Sequence, residues 1–313
     1  MSLTAWITLG CAAMVVMALA SRSAVDSSAA LARALRLPPF LIGFTLVSFG
    51  TDLPEIVSSI VACYLGRGDV AVGNSIGSVY TQAALILGLF PIVAGAAQHV
   101  NRREVFALGT VTLAALGAGI VLLRDGRFTR ADAALLIAIW LLVTVLAARF
   151  GVVPLSDGHE RAPGSRSTAL ALRSLGAFVV VGVSAAALVE SIAIVSIAVG
   201  VPQYVLGFFV AAIGTSLPEL VTEVLALRKG EAQLALGNVL GACLMDAAFS
   251  VSAGPLLFPV SIDGVLAVRG SMAAAGTILL ATLLLGVRGK HDRWSAATLL
   301  AAYGVVFLVL APA

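Results

Sequence analysis

Residues Gly43 to Pro91 recur as Gly207 to Pro255, so every position in the first copy has an equivalent 164 residues on (207 − 43). The copies read GFTLVSFGTDLPEIVSS and GFFVAAIGTSLPELVTE, followed by VAVGNSIGS and LALGNVLGA. A chain that carries one unit twice must adopt a fold that accommodates two copies of it, so this repeat constrains the architecture before any local reading does. Each copy also sets a carboxylate, Glu55 or Glu219, inside a strongly apolar stretch, where an ionisable group is read as functional by default.

The solvent follows from composition. With 60% hydrophobic and 11% charged residues and a mean hydropathy of +1.07, the chain has too little polar surface for a water-soluble globule. Apolar runs of membrane-spanning length fall near 4–20, 38–65, 70–97, 104–123 and 131–148, then near 169–189, 203–228, 232–257, 266–286 and 294–311. The second five echo the first at the repeat offset. The expected fold is an all-α polytopic membrane protein of ten transmembrane helices. A first five-helix repeat (1–150) and a second (168–313) are joined by a polar linker, 151–167. Five spans per unit send the second copy into the membrane from the other side, which makes the repeat inverted.

Basic residues fit that topology. Of the 19 lysines and arginines, 14 lie in loops that follow odd-numbered spans, which the positive-inside rule assigns to the cytoplasm. The expected location is the cell's inner membrane, multi-pass, with both termini outside. The net charge of +3 then reflects orientation and gives no reason to expect nucleic acid as a partner. Ala18, Leu19 and Ala20 resemble a signal-peptidase site, but no basic segment precedes them, so residues 1–20 are read as a span. Cys11, Cys63 and Cys243 show no metal spacing and read as packing residues.

The motifs GTDLPE and GTSLPE have a physical reading. Gly50 and Gly214 weaken a helix that Pro54 and Pro218 cannot continue, so the span should break there. Asp52 with Glu55, and Ser216 with Glu219, have the spacing of a capping box that restarts the helix. A break in mid-membrane survives only where it is buried in protein or lines a cavity. Carbonyl oxygens freed at the break, threonine hydroxyls and a carboxylate one turn on make an all-oxygen site for a hard cation. Thr51 with Glu55, and Thr215 with Glu219, are i and i+4 pairs on one face. The second motif places Ser78 with Gln82, and Ala242 with Asp246, in the same relation. Its glycines Gly73, Gly77, Gly237 and Gly241 also suit close helix packing. Asp246 needs a partner, and a cation shared with Glu55 and Glu219 would supply one.

On these paired motifs the chain resembles the calcium/cation antiporter superfamily, and most of all prokaryotic sodium/calcium exchangers. The resemblance implies two long gating helices, spans one and six, that slide across a core of spans two, three, seven and eight. It further implies Ca2+ ligands at Glu55, Glu219 and the backbone carbonyls of Thr51 and Thr215. Flanking sodium positions would use Ser48, Ser78, Ala212, Thr215 and Ser216, with Gln82 and Asp246 around the centre. Asp52, Gln82 and Ala242 stand where the pattern usually has serine, asparagine and serine. Because Asp52 adds an anionic, protonatable oxygen, H+ is an alternative to Na+ as the coupling ion. The expected function is therefore secondary antiport of Ca2+ against Na+, with proton coupling of Ca2+ or another divalent cation as the alternative; no cofactor or partner protein is implied. An intramembrane enzyme lacks its motifs: HExxH, nucleophile elbow and P-loop are absent, and His99, His159 and His291 are expected in loops. A passive channel is disfavoured because an inverted repeat around one carboxylate cluster suits alternating access better than a continuous pore. Asp69, Glu231 and Asp263 are expected to be solvated, and Glu223 to be either a cytoplasmic vestibule residue or a solvated ion-pair partner. Asp26 and Glu190 are expected at the membrane interface, with lining of the ion pathway as the alternative.

Overall fold

The structure is a computed structural model and describes residues 1–34, 52–149 and 167–310. Ser48, Thr51 and all of the linker but Ser167 lie outside the described residues. The described chain is helical: α1 (Leu3–Ala34), α2 (Leu53–Tyr64), α3 (Gly68–Val93), α4 (Arg102–Leu123), α5 (Arg130–Arg149), α6 (Ser167–Val199), α7 (Gln203–Thr215), α8 (Leu217–Arg228), α9 (Ala232–Leu257), α10 (Gly264–Arg288) and α11 (Arg293–Leu310). Among the described residues six of these are long and apolar enough to cross a membrane, and seven if the bent pair α7 and α8 counts as one span. This is the extent to which the ten expected spans are matched.

The repeat is visible in the helix boundaries. α2 and α8 start and stop at equivalent positions, as do α3 and α9. Their ends explain why. Gly66 and Gly230 both adopt positive φ, 70° and 81°. The next amides, of Arg67 and Glu231, then reach back to the carbonyls of Ala62 and Ala226 at 2.7 and 2.9 Å. A residue with a Cβ is strained in that conformation, and the pattern is the glycine-dependent C-cap that stops a helix cleanly.

α3 and α9 form the centre, with 78% and 72% of their most apolar windows buried, against 17% for α1. Small residues allow this. A Cβ on Gly73 or Gly77 would run into the carbonyl oxygens of Tyr204 and Phe208, so α3 and α7 are in backbone contact. Outside this core, α1 and α6, of 32 and 33 residues, pack against each other. Gly10 faces Ser191, and Ser28 Oγ lies 2.6 Å from Ser174 Oγ, so the two run antiparallel.

Two short antiparallel ribbons clamp the ends. β1 (Gln98–His99) pairs with β4 (Lys290–His291), and β2 (Arg127–Phe128) pairs with β3 (Val260–Ser261). α4 runs from the first ribbon to the second and α10 from the second to the first, side by side and in opposite directions.

Several surface expectations are corrected here. His291 is buried, its ring bonded to Ser295 Oγ and the Leu87 carbonyl, both at 2.7 Å, because the ribbon folds it under α3. Asp69 is half-buried and accepts from the Asp263 amide at 2.6 Å, while Asp263 caps α10. Glu190 is not among these corrections: it stays partly exposed and pairs with Arg67 at 3.5 Å. His159 lies outside the described residues.

Candidate cation site

At the junction of α7 and α8 the axis bends by 43°. Ser216 ends the first segment, its amide bonded to the Ala212 carbonyl at 3.0 Å, and Pro218 sits in the first turn of the next. Asp52 holds the matching place before α2, with nearly the same backbone: φ −79°, ψ 7° against φ −83°, ψ 9°. The break is where the motif placed it, but the capping box is not formed, since neither side chain caps its helix. A capping side chain reaches the first-turn amides from an extended backbone, and ψ near 8° points it elsewhere.

What Ser216 does is reach across to the other half. Its Oγ donates to Glu55 Oε1 at 3.3 Å, and Ser78 Oγ donates to the same oxygen at 3.4 Å. Thr215 Oγ1, 3.4 Å from Ser78 Oγ, donates to Asn74 Oδ1 at 3.1 Å. Glu55, Ser78, Thr215 and Asn74 are fully buried, and so is Ala212, whose carbonyl serves the turn. Glu55 Oε2 has no partner.

Glu219 is the mirror position and is treated differently. It is 3% exposed, yet among the described residues neither of its carboxylate oxygens has a hydrogen-bond partner. The equivalents of the two donors to Glu55 explain this. Ser78 corresponds to Ala242, which has no hydroxyl, and Ser216 corresponds to Asp52, whose side chain makes no hydrogen bond to Glu219. Asp52 is also buried, with Oδ1 unpartnered.

Asp246 has a protein partner where a shared cation was expected. Gln82 Nε2 donates to its Oδ2 at 3.0 Å, leaving Asp246 Oδ1 and Gln82 Oε1 free. Both residues lie in wide π-helical turns, Thr81–Ile86 and Asp246–Ser250. Such turns break the i→i−4 ladder and re-aim side chains, often at functional sites.

One residue of the site escaped the sequence reading, and one was misread. Asn74 belongs to the site, and its repetition at Asn238 in the second motif was the available signal. Glu223 is buried at 4% exposure beside Asn238, with no ion-pair partner among the described residues, so the solvated reading of it is wrong.

Asp52, Glu55, Glu219 and Asp246 thus share one dry region, and among the described residues no Lys, Arg or His pairs with any of them. No three of His, Cys, Asp and Glu among the described residues converge as a metal-binding group. A cation here would therefore complete its shell with hydroxyl, amide and carbonyl oxygens, as hard ions accept.

A bent-helix core with buried, uncompensated carboxylates defines a multi-pass helical membrane protein of the ion-transporting class. The chain belongs to the sodium/calcium exchanger protein family, whose model matches residues 4–149 and 170–311. It is 33% identical over 294 residues to a putative antiporter, CaxA, of Alkalimonas amylolytica, covering 89% of this chain and 90% of the relative. Its fold is similar to that of the H+/Ca2+ exchanger CAX, with a TM-score of 0.74 at 15% identity over 97% of this chain and 82% of the other. It is also similar to the sodium–calcium exchanger NCX_Mj, with a TM-score of 0.61 at 24% identity over 98% and 99%.

Proposed function

We propose that this chain is a secondary active antiporter that exchanges Ca2+ for Na+ by alternating access at the cluster around Glu55 and Glu219. The observation that carries the proposal is the burial of four carboxylates without a compensating cationic side chain among the described residues. An isolated buried charge costs several kcal/mol even after relaxation, so the cluster requires cations or protons to be stable. Ca2+ held between Glu55 and Glu219, with the Thr51 and Thr215 carbonyls, offsets their desolvation. Coupling ions at Ser48, Ser78, Ala212, Thr215 and Ser216, and around Gln82 and Asp246, replace it. Only a neutralised site lets α1 and α6 slide across the core, so exchange results and leak does not.

Inverted repeats underlie this cycle. They are supported by the antiparallel course of the equivalent helices α4 and α10, and of α1 and α6, and by the reciprocal exchange of the ribbons. The distribution of basic residues supports an inner-membrane protein with both termini outside.

A specific observation favours protons as the coupling ion in a second reading. Around Glu219 the positions equivalent to the two hydroxyl donors of Glu55 hold Ala242 and Asp52, so Glu219 has no hydrogen-bond donor among the described residues and the cluster gains a further carboxylate. Buried carboxylates gathered in one cluster readily hold a proton.

Calcium uptake into proteoliposomes, driven by an outward sodium or an outward proton gradient alone, tests both readings. Uptake with sodium alone supports the first, and uptake with protons alone the second. Uptake with neither refutes exchange of Ca2+.

A further inference from the structure

Away from the carboxylates, the β1–β4 ribbon walls a cavity of about 540 Å3 lined by His99, Asn101, Arg102, Gln233, Arg288 and Lys290. Its charge is net positive. Asp292 holds Arg288 through two contacts, 3.0 and 2.6 Å, and touches Lys290 at 3.4 Å. The other carboxylate nearby, Glu104, lies against Gly237 of α9. Arg102 has no acidic partner among the described residues, and its guanidinium lies against Gly289 at the rim.

Two further features place this cavity at a lipid headgroup. Directly below it α10 exposes Leu279, Leu283 and Val287, 47%, 49% and 59% accessible and four residues apart, so they form one apolar stripe ending beside Arg288. Beside the ribbon Trp294 is 78% exposed at the start of α11, and tryptophan collects where hydrocarbon meets headgroups. A basic cavity above an apolar stripe matches the shape and polarity of a phospholipid.

We propose that this cavity binds the phosphate group of an anionic phospholipid, with Arg102, which has no acidic partner among the described residues, and Lys290, which also touches Asp292, as the contacting cations and an acyl chain along Leu279, Leu283 and Val287. The phosphate-ester chemistry is shared with soluble phosphate, and the test separates the two. The melting temperature of the purified full chain in detergent is measured with phosphatidylglycerol, with phosphatidylcholine and with inorganic phosphate. It is compared with that of the double variant Arg102→Gln, Lys290→Gln. A rise of several degrees with phosphatidylglycerol alone, lost in the variant, is expected. The same rise with phosphatidylcholine, with inorganic phosphate or in the variant overturns the proposal. If the variant does not fold, native mass spectrometry of the wild-type protein decides. At about 1 kcal/mol per basic residue near the headgroup, two cations predict retention of phosphatidylglycerol over phosphatidylcholine by about tenfold or more; equal retention overturns it.

Discussion

Gln82 Nε2 donates to Asp246 Oδ2 at 3.0 Å, and these two residues stand at the same place in the two copies of the repeat, 164 positions apart. Val79 and Cys243, a second equivalent pair at that separation, also touch, through the Val79 carbonyl at 3.7 Å from Sγ. Two pairs of equivalent residues thus meet where α3 and α9 pack, in the most buried part of the described chain. An amide facing a carboxylate suits that place. Two aspartates there would repel, and no other side chain is seen to donate to Asp246 Oδ1.

Gln82→Leu should therefore destabilise the protein by about 1–3 kcal/mol, the usual cost of leaving a buried polar group without its partner. Thermal unfolding in detergent measures it. Adding Asp246→Leu to the same chain should recover part of the loss, since both partners are then apolar.

Glu55→Gln and Glu219→Gln should each lower calcium uptake by about a hundredfold or more, because removing one charged partner from a buried ionic group costs about 3 kcal/mol or more. Both variants should still insert and elute as folded protein. Uptake near the wild-type level by either would remove that carboxylate from the ion site.

Asp52→Ser restores a hydroxyl opposite Glu219, where Ser216 stands opposite Glu55. Proteoliposome assays should then show stronger dependence on sodium and weaker dependence on a proton gradient. An unchanged ion dependence would exclude Asp52 from coupling.

The equivalent glycines Gly77 and Gly241 should respond oppositely to alanine. A Cβ at Gly77 meets the backbone of Phe208, whereas one at Gly241 meets nothing within 4 Å. Gly77→Ala should cost about 1–3 kcal/mol by overpacking. Gly241→Ala should be neutral, or gain up to about 1 kcal/mol from helix propensity. Melting temperatures of the pair check this.

His291 lies outside the spans, and burial lowers its pKa from 6.5, only partly opposed by the Leu87 carbonyl. Asp292 beside it favours the charged ring and Arg288 disfavours it. Because the folded ring resists a proton that the unfolded chain accepts, stability is full above pH 6.5 and is lost as pH falls toward the folded value. Melting curves between pH 8 and 5 should show this decline, and His291→Asn should flatten it.

Much of the frame was legible in the residues. Gly66 and Gly230 end their helices where glycine must, and Pro54 and Pro218 restart them, because these effects act within one turn of chain. Burial of Glu55, Glu219 and Asp246 followed from the apolar runs around them. The fates of Ser216, Glu223 and His291 did not follow, because each depends on what a remote helix presents. Ser216 has capping spacing and an acceptor 161 residues away. His291 has loop-like neighbours and a carbonyl partner on α3.

The sequence by itself determined that the chain is a duplicated, membrane-embedded unit, interrupted at GTSLPE, with its carboxylates in apolar surroundings. Hydropathy, glycine and proline act locally, so they can be read along the chain. Only the tertiary structure decided that both serine donors go to Glu55, that Glu219 is left without a hydrogen-bond partner among the described residues, and that Asp246 is held by Gln82. In a dry interior a polar group bonds to whatever the crossing of helices brings within about 3 Å, and that crossing is a property of the packed whole.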